Sequence, residues 1–305
     1  MEKNARQKLI ELIGLDRFEK TDLNIDIEYE KKTDEMTEIR FTFQSEEGYR
    51  VPCHILLPKN IKKPPVMICL QGHTLGMHVS IGRPKYEEET LEKMEDRDGT
   101  FALRAVKEGF AAVALEQRNF GECAVKLGEI LCTYSKLIAS LFGRTTIGER
   151  VWDVMRLIDV LEAEFSDKID LEKIGIMGNS GGGTTTIYTS ALDDRIKLSM
   201  PSCAVCTYKD SIGAMPHCAC NYVPHIAEYF DMDDLIAMSY PKYYIQVNGK
   251  YDPIFPIEPA REVFEKGKKA YEKMGAGERC VHVIGDGEHR FFADSAWQYV
   301  HKFIG

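Results

Sequence analysis

The chain has 305 residues, of which 44% are hydrophobic and 29% are charged, and its formal net charge is −9. This size allows one large α/β domain with a substantial core, and the acidic balance, with no long basic run, argues against a nucleic-acid backbone as partner. No apolar run is long enough to span a membrane, and residues 1–6 lack the apolar core of a signal peptide. Nine cysteines, an odd number, agree with a reducing compartment. We therefore expect a cytoplasmic protein with no nucleic acid and no membrane as partner.

Residues 1–36 are predicted to form an amino-terminal helical arm outside the main domain, which we expect to span residues 37–305. Residues 1–16 have the pattern of a charged amphipathic helix, with Leu9 and Ile13 on its apolar side. Residues 17–36 are polar and acidic. An arm of this kind is a candidate for contacts between copies of the chain in a homo-oligomer.

From residue 38 onward, strand-like and helix-like segments alternate. Alternation of this kind predicts an α/β fold with a mostly parallel central sheet and helices on both faces. A long polar loop over residues 71–96 and an irregular insertion over residues 202–235 interrupt the pattern. The predicted strands are 38–43, 50–57, 65–70, 110–115, 173–177, one near residue 198, 243–247 and 280–284, and the predicted helices are 101–107, 147–164 and 183–192.

The most informative motif is Gly-Asn-Ser-Gly-Gly at residues 178–182, between a predicted strand and a predicted helix. Gly-x-Ser-x-Gly in a strand–turn–helix context is the pattern of a nucleophile elbow. The serine of such a turn has a strained backbone, and the small neighbours let strand and helix approach closely. The motif therefore predicts that Ser180 is a nucleophile, exposed above the carboxyl end of the sheet.

Two further residues follow later strands in the order expected of the α/β-hydrolase triad. Asp252 lies in a tight turn after the predicted strand 243–247, and His289 lies in a glycine-rich loop after the predicted strand 280–284. Two alternatives are weaker, because Asp286 shares the loop of His289 and His282 lies inside a strand. Asp252 could also serve only as a turn former. We predict that Ser180 attacks, His289 acts as base and Asp252 orients the imidazole.

A serine nucleophile also needs N–H donors for the oxyanion. One is expected to be the backbone N–H of Gly181, and the other should come from the loop that begins Gln71-Gly72-His73-Thr74. This loop, the segment Glu-Gln-Arg-Asn-Phe-Gly-Glu at residues 116–122, and the motifs around the predicted acid and base resemble those of dienelactone-hydrolase and acetyl-xylan-esterase-like α/β-hydrolases. The resemblance covers about residues 38–305.

That resemblance implies that the backbone N–H of His73 is the second donor, with Thr74 as the alternative. Gln71 stands where many relatives have histidine, and we expect it to contact the substrate. The resemblance also implies that residues 202–235 form a small cap over the active site, whose Tyr222 and Tyr229 wall the substrate pocket. We interpret the loop 76–83 as the pocket rim, with Arg83 as a substrate anchor or else as part of a solvated lid.

Two further groups of residues allow two interpretations each. Residues 116–118, Glu-Gln-Arg, form either a polar network that holds the oxyanion loop or a surface ion pair. The cysteines of the insertion have a spacing that a zinc site could use, but buried free thiols are the preferred interpretation. They are Cys203, Cys206, Cys218 and Cys220. We therefore expect no metal and no cofactor.

Together these patterns predict a serine hydrolase of carboxylic esters that works through an acyl-enzyme. The resemblance implies a short-acyl substrate, such as an acetylated saccharide. A peptidase or a lactone hydrolase with the same triad is an alternative. A non-catalytic binding protein with the hydrolase fold is an alternative of another class.

Overall fold

A computed structural model of the chain describes residues 2–74 and 76–305, so Met1 and Leu75 lie outside the described residues. Its strands are β1 (Asp26–Lys32), β2 (Met36–Glu46), β3 (Tyr49–Pro58), β4 (Pro65–Leu70), β5 (Ala111–Leu115), β6 (Asp170–Asn179), β7 (Ile196–Ser202), β8 (Tyr243–Gly249) and β9 (Cys280–Gly285). Its α-helices are α1 (Glu2–Ile13), α2 (Leu91–Asp96), α3 (Phe101–Lys107), α4 (Cys132–Leu141), α5 (Thr146–Glu164), α6 (Gly181–Leu192), α7 (Ile226–Tyr229), α8 (Met232–Met238), α9 (Ile257–Lys273) and α10 (Ala293–Ile304).

The strands form one sheet in the order β1-β2-β3-β5-β4-β6-β7-β8-β9. The pairs from β1 to β5 are antiparallel, and all pairs from β5 to β9 are parallel. This arrangement confirms the predicted fold. β4 and β6 are neighbours whose ends are in register, since Leu70 pairs with Gly178. The loop that follows β4 and the turn that follows β6 therefore meet at the carboxyl edge of the sheet.

Helices cover both faces of this sheet, because alternate residues of a strand point to opposite faces. In β4, Met67 and Cys69 belong to the apolar cluster that also contains residues of α3 and α10. Val66 and Ile68 belong instead to a cluster with residues of α5. The core is thus divided by the sheet into two layers.

Neither α2 nor α4 was predicted from the sequence. The one-turn-and-a-half α2 is capped by the Thr90 side chain, which accepts a hydrogen bond from the Lys93 N–H. Helix α4 has no side-chain cap at its start, and its large apolar residues Leu137 and Leu141 are exposed. It therefore lacks the inward apolar stripe on which sequence prediction of helices depends.

The amino-terminal residues are part of the domain, which corrects the predicted arm of residues 1–36. Leu9 and Ile13 of α1 are fully buried in one apolar cluster with Ile147 and Val151 of α5. β1 pairs with β2 along the edge of the sheet, although all seven residues of β1 are exposed. A strand with no buried side chain lacks apolar alternation, so its sequence looks like a polar linker.

Among the described residues, no helix combines the length and the apolar character that crossing a bilayer requires.

The docking of α1 leads to a stability prediction. Leu9→Ala should lower the free energy of unfolding by about 2–5 kcal/mol, because it empties a fully buried position. Urea unfolding followed by circular dichroism would measure the loss. The control is Gln7→Ala on the exposed side of the same helix, which should change the stability by less than about 0.5 kcal/mol. Equal values for the two variants would mean that α1 is not docked.

Candidate active site

Ser180 occupies a sharp turn between β6 and α6. Its backbone angles are φ 54° and ψ −121°, a conformation that L-residues rarely adopt. The Ser180 N–H donates to the Ser202 carbonyl at 2.8 Å, and the Thr184 N–H donates to the Ser180 carbonyl at 2.9 Å. These two bonds hold the strained residue between β7 and the first turn of α6. Ser180 thus has the geometry expected of a nucleophile elbow.

Glycines make this turn sterically feasible. A Cβ atom at Gly182 would lie 2.1 Å from the carbonyl oxygen of Leu70 and 2.7 Å from that of Gln71. A Cβ atom at Gly178 would lie 2.4 Å from the carbonyl carbon of Gly182. Such distances are well inside van der Waals contact, so larger residues would push α6 away from β4.

His289 and Asp252 form a hydrogen-bonded pair at the same edge of the sheet. The Nδ1 atom of His289 lies 2.8 Å from Oδ2 of Asp252. The other carboxylate oxygen, Oδ1, accepts the backbone N–H groups of Ile254 at 2.8 Å and Phe255 at 3.1 Å. Burial raises the pKa of Asp252, but the bonds from His289 and the two N–H groups outweigh it and hold that pKa below its ordinary value. An ionised Asp252 accepts a hydrogen bond from the Nδ1–H group of His289, which leaves Nε2 free to accept a proton.

The two alternative residues have other surroundings. The Asp286 side chain is 83% exposed, and its Oδ1 atom lies 3.9 Å from Nζ of Lys250. Nε2 of His282 lies 3.0 Å from Oδ1 of Asn248 inside the sheet, and burial lowers the pKa of His282 to about 4. His282 is therefore a neutral structural histidine, and Asp286 is a surface residue.

The loop after β4 lies directly against the nucleophile turn. A Cβ atom at Gly72 would lie 3.0 Å from the Cβ atom of Ser180, and one at Gly181 would lie 2.8 Å from Cε1 of His73. The Thr74 N–H donates to the Gly72 carbonyl at 2.7 Å, whereas no acceptor for the His73 N–H occurs among the residues that the structure describes. Gly181 is the first residue of α6, where N–H groups have no acceptor within the helix. This geometry favours His73 over Thr74 as the second oxyanion donor.

Buried polar side chains hold this loop from behind. Glu116 accepts the backbone N–H of Met77 at 3.0 Å and that of Glu122 at 3.2 Å. Burial raises the pKa of Glu116 to about 7, although these two N–H groups act in the opposite direction. Gln117 donates to the Gln71 carbonyl and accepts the Thr185 hydroxyl at 2.7 Å, which links the loop to α6. The network interpretation of residues 116 and 117 therefore agrees with the structure.

Arg118 belongs to a different group of charges. Its guanidinium donates to Asp153 at 2.8 Å and to Glu46 at 2.6 Å, beneath the Tyr49 ring. Arg118, itself buried, therefore forms ion pairs with Asp153 and Glu46, and not the surface ion pair that the sequence analysis considered.

A cavity of about 1060 Å³ opens above Ser180 and His289. The long loop that includes α2 forms one wall, and the insertion after β7 forms another with Met215, Pro216, His217 and Cys218. Gln71 lines the cavity as predicted, although its amide donates to the Gly99 carbonyl at 3.0 Å. Charged residues are frequent in the lining, and they are Glu87, Glu88, Glu89, Lys93, Asp96, Arg97 and Arg290.

Three residues that we predicted to bind substrate do not line this cavity, which corrects those assignments. Arg83 donates to Glu38 and, at 3.1 Å, to the Tyr29 hydroxyl, because β1 and β2 offer it a carboxylate and a phenol at the sheet edge. The Tyr222 hydroxyl donates to the Ile212 carbonyl at 3.1 Å inside the insertion. Tyr229 is 52% exposed and carries Lys8 of α1 over its ring at 4.5 Å.

The sequence analysis did not identify α2 as a wall of the cavity. In the structure, this helix and its C-cap residue place Lys93 and Arg97 in the cavity lining. The available signal was Thr90, a residue that favours helix starts, directly before residues 91–96. It also did not single out His217 as a lining residue. The amide Nδ2 of Asn221 donates to Nδ1 of His217 at 2.9 Å, a contact that follows from the folding of the insertion.

The four cysteines considered for a zinc site do not come together. Cys203 donates to the Arg290 carbonyl at 3.2 Å, and Cys206 lies 3.8 Å from the Pro256 carbonyl. Cys218 and Cys220 instead lie beside Cys132 of α4 and His73 of the oxyanion loop. The candidate set of four insertion cysteines is therefore wrong, and a different set of four residues converges in the structure.

Comparisons with known proteins agree with this fold. Residues 66–207 match the family model of fungal glucuronyl esterases. The chain is 23% identical to the "Putative hydrolase YtaP" of Bacillus subtilis (strain 168) over 249 residues, which are 79% of this chain and 78% of that protein.

Two solved structures are similar over nearly the whole chain. A "putative acetyl xylan esterase" from Bacteroides fragilis NCTC 9343 superposes with a TM-score of 0.78 at 18% identity, covering 93% of this chain and 74% of that one. A glucuronoyl esterase from Solibacter usitatus superposes with a TM-score of 0.68 at 16% identity, covering 98% of this chain and 91% of that one. The expected resemblance to acetyl-xylan-esterase-like proteins is confirmed, and the chain has the fold of the α/β-hydrolases.

Proposed function

We propose that this protein is a serine hydrolase of carboxylic esters, with Ser180, His289 and Asp252 as its triad. The observation that carries the proposal is the shared position of Ser180 and His289. Both line one cavity, Ser180 in a strained elbow and His289 with its Nδ1 atom held at 2.8 Å by Asp252. A nucleophile, a base with a fixed tautomer and a cavity for the substrate are the requirements of acyl transfer.

The reaction we infer has two halves. The Ser180 hydroxyl attacks the ester carbonyl while Nε2 of His289 takes its proton, and the N–H groups of Gly181 and His73 bind the oxyanion. The intermediate then expels the alcohol, which receives the proton from His289, and leaves an acyl group on Ser180. A water molecule, deprotonated by His289, releases the acid and restores the hydroxyl.

We propose a saccharide ester with a short acyl group as substrate. The cavity of about 1060 Å³ has room for a saccharide, and the charged and polar side chains of its lining can form hydrogen bonds with sugar hydroxyl groups. The names of the similar proteins support a carbohydrate ester, since they include acetyl xylan and glucuronoyl esterases. In an acetylated saccharide, the sugar is the alcohol part of the ester bond. In a glucuronoyl ester, the sugar is the acid part.

The first test concerns the nucleophile. Ser180→Ala should lower kcat on 4-nitrophenyl acetate by roughly a millionfold, since the attacking oxygen is lost. Ser190→Ala, a change at a buried serine of α6 outside the site, serves as control and should retain activity. Labelling of the Ser180→Ala variant by a fluorophosphonate, as strong as in the parent, would identify another serine as nucleophile. A parent chain that neither hydrolyses esters nor reacts with the probe would instead indicate a non-catalytic binding protein.

The second test separates the two aspartates beside His289. Asp252→Asn should lower kcat by roughly 10⁴-fold, because the amide can no longer fix the Nδ1–H tautomer of the imidazole. The matched Asp286→Asn change affects an exposed carboxylate and should alter kcat less than about twofold. Steady-state kinetics on the two variants would decide. A larger loss at Asp286 would reverse the assignment.

The third test concerns the acyl group. Across 4-nitrophenyl esters, kcat/KM should be highest for acetyl or propionyl and fall steeply by octanoyl. Each methylene gains at most about 0.8 kcal/mol when it is buried, and a methylene that does not fit costs packing strain instead. A steady rise toward octanoyl would contradict the short-acyl proposal. Comparison of an acetylated xylo-oligosaccharide with an alkyl ester of glucuronic acid would then show on which side of the ester the sugar binds.

A further inference from the structure

Three cysteines and a histidine from distant parts of the chain converge beside the active site. We call His73, Cys132, Cys218 and Cys220 the cysteine–histidine cluster. Its four ligand atoms, three sulfurs and one imidazole nitrogen, all lie within 4.8 Å of one another. Nε2 of His73 is 3.1 Å from Sγ of Cys220, and Sγ of Cys220 is 3.6 Å from Sγ of Cys218.

These distances resemble the edges of a metal tetrahedron. With Zn–S bonds of about 2.3 Å and Zn–N bonds of about 2.0 Å, tetrahedral geometry separates two sulfurs by about 3.8 Å and a nitrogen from a sulfur by about 3.5 Å. The sulfur pair in the structure is close to the first value, and the nitrogen–sulfur pair needs a movement of only about half an ångström.

We propose that the cysteine–histidine cluster is a structural Zn²⁺ site that ties the oxyanion loop to α4 and to the insertion after β7. Three thiolates and one imidazole form a closed four-ligand set of the kind that structural zinc sites use, and soft sulfur ligands select against Mg²⁺ and Ca²⁺. Binding of the ion displaces the three thiol protons to solvent.

The surroundings suit the charge of such a site. Three thiolates and one Zn²⁺ carry a net charge of −1, which a neighbouring cation would balance. Fully buried Arg150 stacks on the Phe120 ring at 4.2 Å, and Phe120 packs in one cluster with Cys132 and Cys220. Two nitrogens of its guanidinium donate to the Arg118 carbonyl, and Nη1 has no partner among the residues that the structure describes. A buried guanidinium with a spare donor is an appropriate counter-charge for a thiolate-rich centre.

A disulfide explains the arrangement less well. It would join two sulfurs and leave the third cysteine and the imidazole without a role. All four ligand atoms instead approach one another, and Cys132 and Cys220 are buried among apolar neighbours. The convergence of four groups on one point is the feature that distinguishes a metal site from a pair of thiols.

The decisive measurement is the metal content of the full-length chain, produced without a metal-binding tag and kept reduced. Elemental analysis should find about one zinc per chain in the parent and in Cys206→Ser, a matched control that changes an insertion cysteine outside the cluster. Cys132→Ser should lose the ion. Absence of stoichiometric zinc in the parent, even after incubation with zinc, would overturn the proposal, and so would an equal loss in the two variants.

A second measurement does not depend on whether Cys132→Ser folds. Replacement of the ion in the parent chain by Co²⁺ should produce the intense visible bands of tetrahedral cobalt and a thiolate charge-transfer band in the near ultraviolet. Only weak visible bands, as in six-coordinate cobalt, would overturn the proposal. Thiol titration of the unfolded chain with a chelator should find all nine cysteines, whereas a disulfide would leave two unreactive and would also overturn it.

The position of His73 extends the inference to the proposed function, on which this last step rests. His73 is both a ligand of the ion and the proposed second oxyanion donor, so the ion positions the loop. Removal of zinc should therefore lower kcat on an ester by up to about 10²–10³-fold with little change in KM, and added zinc should restore it. Unchanged kcat in the metal-free chain would overturn this positioning role. Because the zinc and cobalt measurements need no substrate, failure of the proposed function would leave the test of the site intact.

Discussion

The close approach of two backbone segments, the end of β4 and the start of α6, is the constraint on which the site depends. Gly182 lies so near the Leu70 and Gln71 carbonyls that any side chain there would collide with them. This contact places the loop after β4 beside the turn that carries Ser180. The nucleophile and both proposed oxyanion donors are thus brought together by backbone packing, before any polar side chain contributes.

The loop that carries His73 has little regular structure of its own, so side chains must hold it in place. Gln117 binds its start through the Gln71 carbonyl, and Glu116 binds the N–H of Met77 farther along. The proposed zinc site would hold His73 itself from the side of the insertion. A rigid loop matters because an oxyanion donor stabilises the transition state only if it is already in position when charge develops. The buried polar network and the cysteine–histidine cluster would therefore both hold the oxyanion loop in place, each from a different side.

The parts of the site that sequence could predict are those fixed by local pattern. The elbow depends on a strand, a glycine-rich turn and a helix that are consecutive in the chain, and the predicted acid and base each follow a strand. The parallel sheet then brings the ends of these strands to one edge, which is why Ser180 and His289 line one cavity and Asp252 can bond to His289. The strands of the sheet were predicted for the same reason, with the exception of β1.

The features that sequence could not predict depend on contacts between distant segments. Arg83 was expected to bind the substrate, but its guanidinium forms an ion pair with the carboxylate of Glu38 on β2 instead. Cys132 stands in a helix whose apolar residues face outward, so nothing local associates it with Cys220. The cysteine spacing in the insertion led us to consider a set that included Cys203 and Cys206, neither of which lies in the cysteine–histidine cluster. Only the three-dimensional arrangement shows that Cys132 and His73 lie beside Cys218 and Cys220.

The edge strand β1 has a consequence for the behaviour of the protein in concentrated solution. Its neighbour β2 is 11 residues long and buries Ile39, Phe41 and Phe43, so by itself it would be a long apolar edge with unpaired backbone groups. Such edges pair with strands of other molecules and lead to aggregation. β1 occupies these backbone groups and presents a row rich in Glu and Lys to solvent instead. A chain shortened beyond residue 32 would therefore be prone to form insoluble aggregates even if its catalytic residues were unaltered.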